Sequence, residues 1–146
     1  MNMPIEYPLF KGTYDQIELQ RLLYTKEHIF DDIDLSDERL LRTPFLLPKV
    51  EYFVTELHQN DPDSLIGAID YVLSKMDEKG ENFKYFLIHF TNMFAKSSSG
   101  DKKGVYSHLV NKYYQSGKAY WVDDLRLNQM LENVKRLNPS SEKDSI

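Results

Sequence analysis

Six apolar side chains between residues 105 and 114 constrain this chain more than any other feature. Val105, Tyr106, Leu109, Val110, Tyr113 and Tyr114 recur at helical steps and together cover close to half of a helix circumference. Gly117 follows, in the place where a left-handed residue ends a helix. The only tryptophan, Trp121, then precedes Asp123, which is suited to cap another helix. A face this wide must be buried against other elements, so the remaining chain has to supply them.

It supplies them as further helices. Thr13 with Gln16 reads as a capping box opening a helix over 14–30, with Leu19, Leu22, Leu23, Ile29 and Phe30 as its inner face and Lys26 interrupting the stripe. Ser36 or Asp34 is expected to cap a short segment over 37–42, which the sequence Thr43-Pro44 ends. Pro48 suits the first turn of the next helix, where Val50, Phe53, Val54 and Leu57 form a stripe with Tyr52 opposite. Asp61 and Pro62 open a helix carrying Leu65, Ile66, Ile69, Val72, Leu73 and Met76, with Gly80 expected to close it. Residues 81–96 are apolar on two sides. Phe83, Phe86, Leu87, Phe90 and Phe94 lie in one stripe with Tyr85 and Ile88 behind, the pattern of a central helix.

Residues 97–104 read as a polar connector. The last helix, running to about 137, is expected to bury Leu127, Met130, Leu131, Val134 and Leu137. No strand pattern survives, so the expected fold is all-α: a stack of five to seven antiparallel helices. The expected organisation is an extended arm or linker over 1–12, one helical domain over 13–138 and a tail over 139–146.

Bulk composition narrows the classes of function. A net charge of −5 lacks the basic footprint of general nucleic-acid binding. Cysteine is absent, which removes disulfides, a thiolate nucleophile and cysteine-ligated metals from this chain. No apolar run approaches the roughly 18 residues of a membrane span, and residues 1–12 lack the charged start and apolar centre of a signal peptide.

Candidate chemistry is sparse. Five acids crowd residues 31–38, but a calcium loop needs alternating ligands, a central glycine and a distal glutamate, and the spacing fails. The pair Gly117-Lys118 ends like a phosphate-binding loop, yet Lys112 stands where its first glycine belongs and Ala119 where a Ser or Thr belongs. His28, His58, His89 and His108 fall on separate helices without metal-ligand spacing. No Gly-x-Ser-x-Gly elbow supports a hydrolase. These residues give no catalytic site, no metal site and no cofactor. Tyr114 and Tyr120, at the edge of the aromatic seam, are the candidate partner or ligand surface, since tyrosine couples large contact area to a polar tip.

Several short motifs carry a resemblance. They are the run from Asp37 and Glu38 to Arg42, Thr43 and Pro44; Pro62-Asp63-Ser64; Phe83-Lys84-Tyr85; and, most specific, Val105 to Leu109 with Lys112, Tyr113, Tyr114, Gly117, Lys118, Trp121 and Asp123. Over residues 28–139 the chain resembles the helical domain of unknown function found before the thioredoxin-like domain in envelope thiol–disulfide oxidoreductases of Bacteroidota. Arg42, Pro44, Tyr106, Tyr113, Gly117, Trp121 and Asp123 are the structural signature of that likeness. It departs at 100–104, where Gly100-Asp101-Lys102-Lys103-Gly104 stands in place of a Met-Gly-x-Asp-Ala turn.

The resemblance implies a periplasmic or cell-envelope setting. It also implies a thioredoxin-like partner in cis, or another envelope protein, and a non-catalytic role in positioning it. The Cys-x-x-Cys of the oxidoreductases is missing here, so no redox role transfers to any residue. The alternative is a helical module that binds a peptide or small ligand in an aromatic groove.

Overall fold

The computed structural model describes residues 5–58, 61–96 and 100–137, with the side chains of 100, 101 and 137 left aside. Six α-helices follow one another, and no strand occurs among the described residues. They are α1 (Tyr14–His28), α2 (Leu46–Glu51), α3 (Pro62–Ser74), α4 (Glu81–Ala95), α5 (Gly100–Leu109) and α6 (Asp124–Leu137). A 3₁₀ turn occupies Glu38–Arg42, and π-type turns at Tyr52–Glu56 and Val110–Tyr114 prolong α2 and α5. The all-α expectation holds. The tail over 139–146, and Leu137 as a core residue, lie outside what is described.

The core is built where the apolar spacing put it. Phe83, Phe86, Leu87, Phe90 and Phe94 of α4 are buried, and α4 packs against α3, α5 and the 3₁₀ turn. Val105, Tyr106, Leu109, Val110, Tyr113 and Tyr114 are all buried as well. Burying one such side chain contributes about 1.5–3 kcal/mol, so the α4–α5 seam is a large part of the cohesion. Val50, Phe53, Val54 and Leu57 are buried while Tyr52 faces out. Of the last helix, Met130 is buried and Leu127, Leu131 and Val134 are partly buried.

The caps explain the ends. The Thr13–Gln16 capping box is present in both directions. Asp61 accepts from Asp63 N with Pro62 next, and Asp123 accepts from Arg126 N at 2.8 Å. Gly117 sits at φ +89, a left-handed turn that lets the Ala119 N–H reach the Tyr113 carbonyl.

Four sequence expectations are corrected. Asp37, not Ser36 or Asp34, caps the 3₁₀ turn by accepting from Arg39 N, while Asp34 is taken up by Ser36. Gly80 does not close α3, which ends at Ser74; it is the N-cap of α4. Helix α5 begins at Gly100, so residues 100–104 belong to a helix and not to the connector.

The fourth correction matters most for function. Of the expected inner face of α1, Ile29 is buried and Phe30 packs on Phe53, but the three leucines lie outside. Leu19, Leu22 and Leu23 are 56%, 36% and 54% exposed, and Thr25 is the buried residue of α1. Residues 5–12 clasp another side of α1. The Tyr7 hydroxyl meets Thr25 Oγ1 at 2.6 Å, Arg21 lies over the Tyr7 ring, and Phe10 packs on Tyr24.

Candidate functional site

The expected partner surface at Tyr114 and Tyr120 divides in the structure. Tyr114 is 5% exposed, and its hydroxyl donates to Thr91 Oγ1, which itself donates to the Leu87 carbonyl. Burial raises its pKa, so the hydroxyl stays protonated and serves as a packing donor. Tyr120 is 59% exposed and borders a hollow of about 510 Å³ with Gly117 and Lys118. The Tyr114 ring reaches a different cleft, of about 350 Å³, between α4 and α6. Trp121 touches both rings, 6.5 Å from Tyr114 and 5.2 Å from Tyr120, and is itself half-buried. Of the two tyrosines, only Tyr120 stands out into solvent.

The other signature residues take structural places. Tyr106 is buried, and Tyr113 is buried with its hydroxyl on Asp70. Arg42 ends the 3₁₀ turn, with exposed Pro44 two residues on.

The histidines are each engaged. His28 Nδ1 lies 2.6 Å from Asp31, and His89 Nε2 lies 2.6 Å from Glu51, linking α4 to α2. His58 Nδ1 donates to the Phe53 carbonyl at 2.7 Å. Its burial lowers its pKa, and Lys26 adds to the effect, so the ring stays neutral with Nε2 as an acceptor.

His108 belongs to a cluster that residue spacing did not reveal. His108, Lys112 and Tyr113 all converge on Asp70 of α3. The distances are 2.9 Å and 3.1 Å to Oδ2, and 2.6 Å from the Tyr113 hydroxyl to Oδ1. Burial pushes the Asp70 pKa up, but the bonds from Tyr113, Lys112 and His108 outweigh it and hold the carboxyl below its usual range. Burial and then Asp70 raise Tyr113. The signal available in the sequence was Asp70 as the only charged side chain between Asp63 and Lys75. The cluster ties α3 to α5 and its π turn. Among the described residues no group of three His, Asp or Glu side chains is placed to hold a metal ion.

A further concavity lies elsewhere. Leu23, Lys26 and Glu27 of α1 face Phe53, His58, Ala68 and Tyr71 across a groove of about 750 Å³. Phe53 stacks edge-on against His58 at 4.8 Å and lies 5.9 Å from Tyr71, giving the groove an aromatic wall. Gly67, which also lines it, leaves open space where a side chain would stand. Large apolar area with a few polar groups is the usual make-up of a recognition surface. Of the lining opposite α1, the apolar spacing marks only Phe53 as a core residue; Ala68 and Tyr71 fall outside the expected face of α3. What the spacing did not show is that α1 stands off from them.

A family described as a domain of unknown function (DUF5106) matches residues 13–137. The chain belongs to that family. No curated protein and no solved structure matches it. Among the described residues no helix of this family member is long and apolar enough to cross a membrane.

Proposed function

We propose that the chain is a non-catalytic helical interaction or spacer module in the cell envelope, which positions a thioredoxin-like domain or that domain's substrate. The groove between α1 and α3, bordered by leucines that α1 leaves uncovered, carries this reading. Family membership and the sequence resemblance support it. So does the engagement of every histidine in an internal contact, with His89 and His108 each joining two helices, which is how a scaffold uses such residues. The thiol chemistry resides in the partner, because this chain has no cysteine.

The test is an isotope-labelled chain titrated with a thioredoxin-like domain. Shifts confined to the neighbourhood of Leu23, Phe53 and Tyr71 support the reading. No shifts, or shifts only around Tyr120, overturn the assignment to this groove. A disulfide-reductase assay on the chain alone should be silent, and intrinsic activity would contradict the module outright.

The rings of Phe53 and Tyr71 in the same groove favour a second reading, capture of a peptide or small ligand. A groove that binds short peptides but ignores the folded thioredoxin-like domain would select it.

A further inference from the structure

Helix α1 presents a stripe that the fold leaves largely uncovered. Asp15, Leu19, Leu22 and Lys26 are spaced four, three and four residues apart. At 100° per residue they fall within about 60° of the helix circumference. Asp15 and Leu19 are exposed, Leu22 is partly so, and Lys26 is half-buried at the mouth of the groove. Neither Asp15 nor Lys26 makes an ion pair among the described residues.

The stripe is self-complementary. Read backwards from Lys26 it has the same spacing, with the apolar positions retained and the charges exchanged. In an antiparallel pair of α1 helices, Leu19 of one chain meets Leu22 of the other, and Leu22 meets Leu19. At both ends Asp15 meets Lys26. The four-three-four spacing is that of a two-helix seam, whose knobs interlock at a shallow crossing angle. A parallel pair would instead set Asp15 against Asp15 and Lys26 against Lys26.

We infer that the occupant of the exposed α1 face is a second copy of this chain, docked antiparallel about an axis between residues 20 and 21. Such a contact is isologous and closes as a dimer. It shares Lys26 and the uncovered leucines with the groove of the proposed function, but it is tested on the chain alone, without the thioredoxin-like partner that function invokes.

The experiment is sedimentation equilibrium on the full chain over a concentration series at low salt, with circular dichroism as the folding control. The wild type should approach twice the monomer mass as concentration rises. Leu19→Asp, at an exposed position, should leave helicity intact and abolish association. Asp15→Lys sets lysine against lysine at both ends and should weaken association about fivefold to tenfold. The double reversal Asp15→Lys with Lys26→Asp restores both attractions and should recover it. A wild type that stays monomeric throughout overturns the inference and assigns the stripe to a different partner. A double reversal no better than Asp15→Lys alone overturns the antiparallel register.

Discussion

Tyr113 donates its hydroxyl proton to Asp70, 43 residues earlier in the chain, across 2.6 Å. The carboxylate also holds His108 and Lys112, so one acid organises three donors of the helix packed against it. Removing the acid leaves those donors without their acceptor, whereas removing one donor loses a single bond. Asp70→Ala should therefore cost about 2–4 kcal/mol, and Tyr113→Phe about 1–1.5 kcal/mol. Denaturant unfolding of the two variants would show this asymmetry. Equal costs would mean that the cluster is not organised by its acid.

The same cluster predicts a pH dependence. The pKa of Asp70 is lower in the folded chain than its ordinary value of 3.8. The unfolded state therefore binds the proton first on acidification. The stability contributed is fully present above pH 4 or so, and is lost as the pH falls through the folded pKa. Asp70→Asn should flatten the acid limb of the stability profile relative to the wild type. An unchanged acid limb would place the responsible carboxylates elsewhere.

His58 predicts a dependence nearer neutrality. Burial lowers its pKa from 6.5, so the folded chain prefers the neutral ring. The unfolded chain takes up the proton earlier as the pH drops. Stability should be fully present above pH 6.5 and decline as the pH falls through the lower folded value. His58→Gln should remove that part of the decline below about pH 6.5, as read from thermal midpoints. The opposite sign, with the wild type stabilised by acid, would require a charge partner for His58 that offsets its burial.

How much was legible follows from the kind of information apolar spacing carries. It marks which residues share a face. Where a helix has neighbours on hand, the marked face is the buried one, as with Phe83 to Phe94 in α4 and Leu65 to Leu73 in α3. On α1 the end of the marked face finds neighbours, with Ile29 buried and Phe30 on Phe53, but among the described residues nothing covers the rest, so Leu19, Leu22 and Leu23 stay outside. The Asp70 cluster was hidden for a geometric reason. His108 and Lys112 are one turn apart, but Lys112 and Tyr113 lie within a π turn, which departs from ideal α spacing. Gly100 and Gly104 looked like loop residues because glycine lowers helix propensity by about 1 kcal/mol each. Packing of α5 against α3 and α4 outweighs that local preference. The split of Tyr114 from Tyr120 turns on Gly117, which redirects the chain between them.

Trp121 provides a graded prediction. Full burial would give Trp121→Ala a cost of about 3–5 kcal/mol. The ring is only half-buried, against Tyr114 and Tyr120 and beneath Lys84 at 5.7 Å. The expected cost therefore falls to about 2 kcal/mol. Since it is the only tryptophan, its emission reports this corner alone. Quenching by a small solute should be intermediate between that of a buried and a free indole. Emission typical of a fully exposed indole would detach the ring from the seam.

Gly80 and Glu38 form a pair whose coupling can be measured. Glu38 Oε1 accepts the Glu81 N–H at 3.0 Å, so an acid from the 3₁₀ turn caps α4 from 43 residues away. Gly80 permits this, because a Cβ there would stand 2.6 Å from that oxygen. Its φ of −93 is open to any residue, so the constraint is the approach of Glu38 and not the backbone. Gly80→Ala and Glu38→Ala should each cost about 1 kcal/mol, the first by evicting the carboxylate and the second by deleting it. Both remove the same cap, so the double variant should cost clearly less than the sum. A strictly additive pair would mean that the loss at Gly80 arises from its other neighbour, Asp77, whose Cβ and carbonyl lie 3.3 Å away.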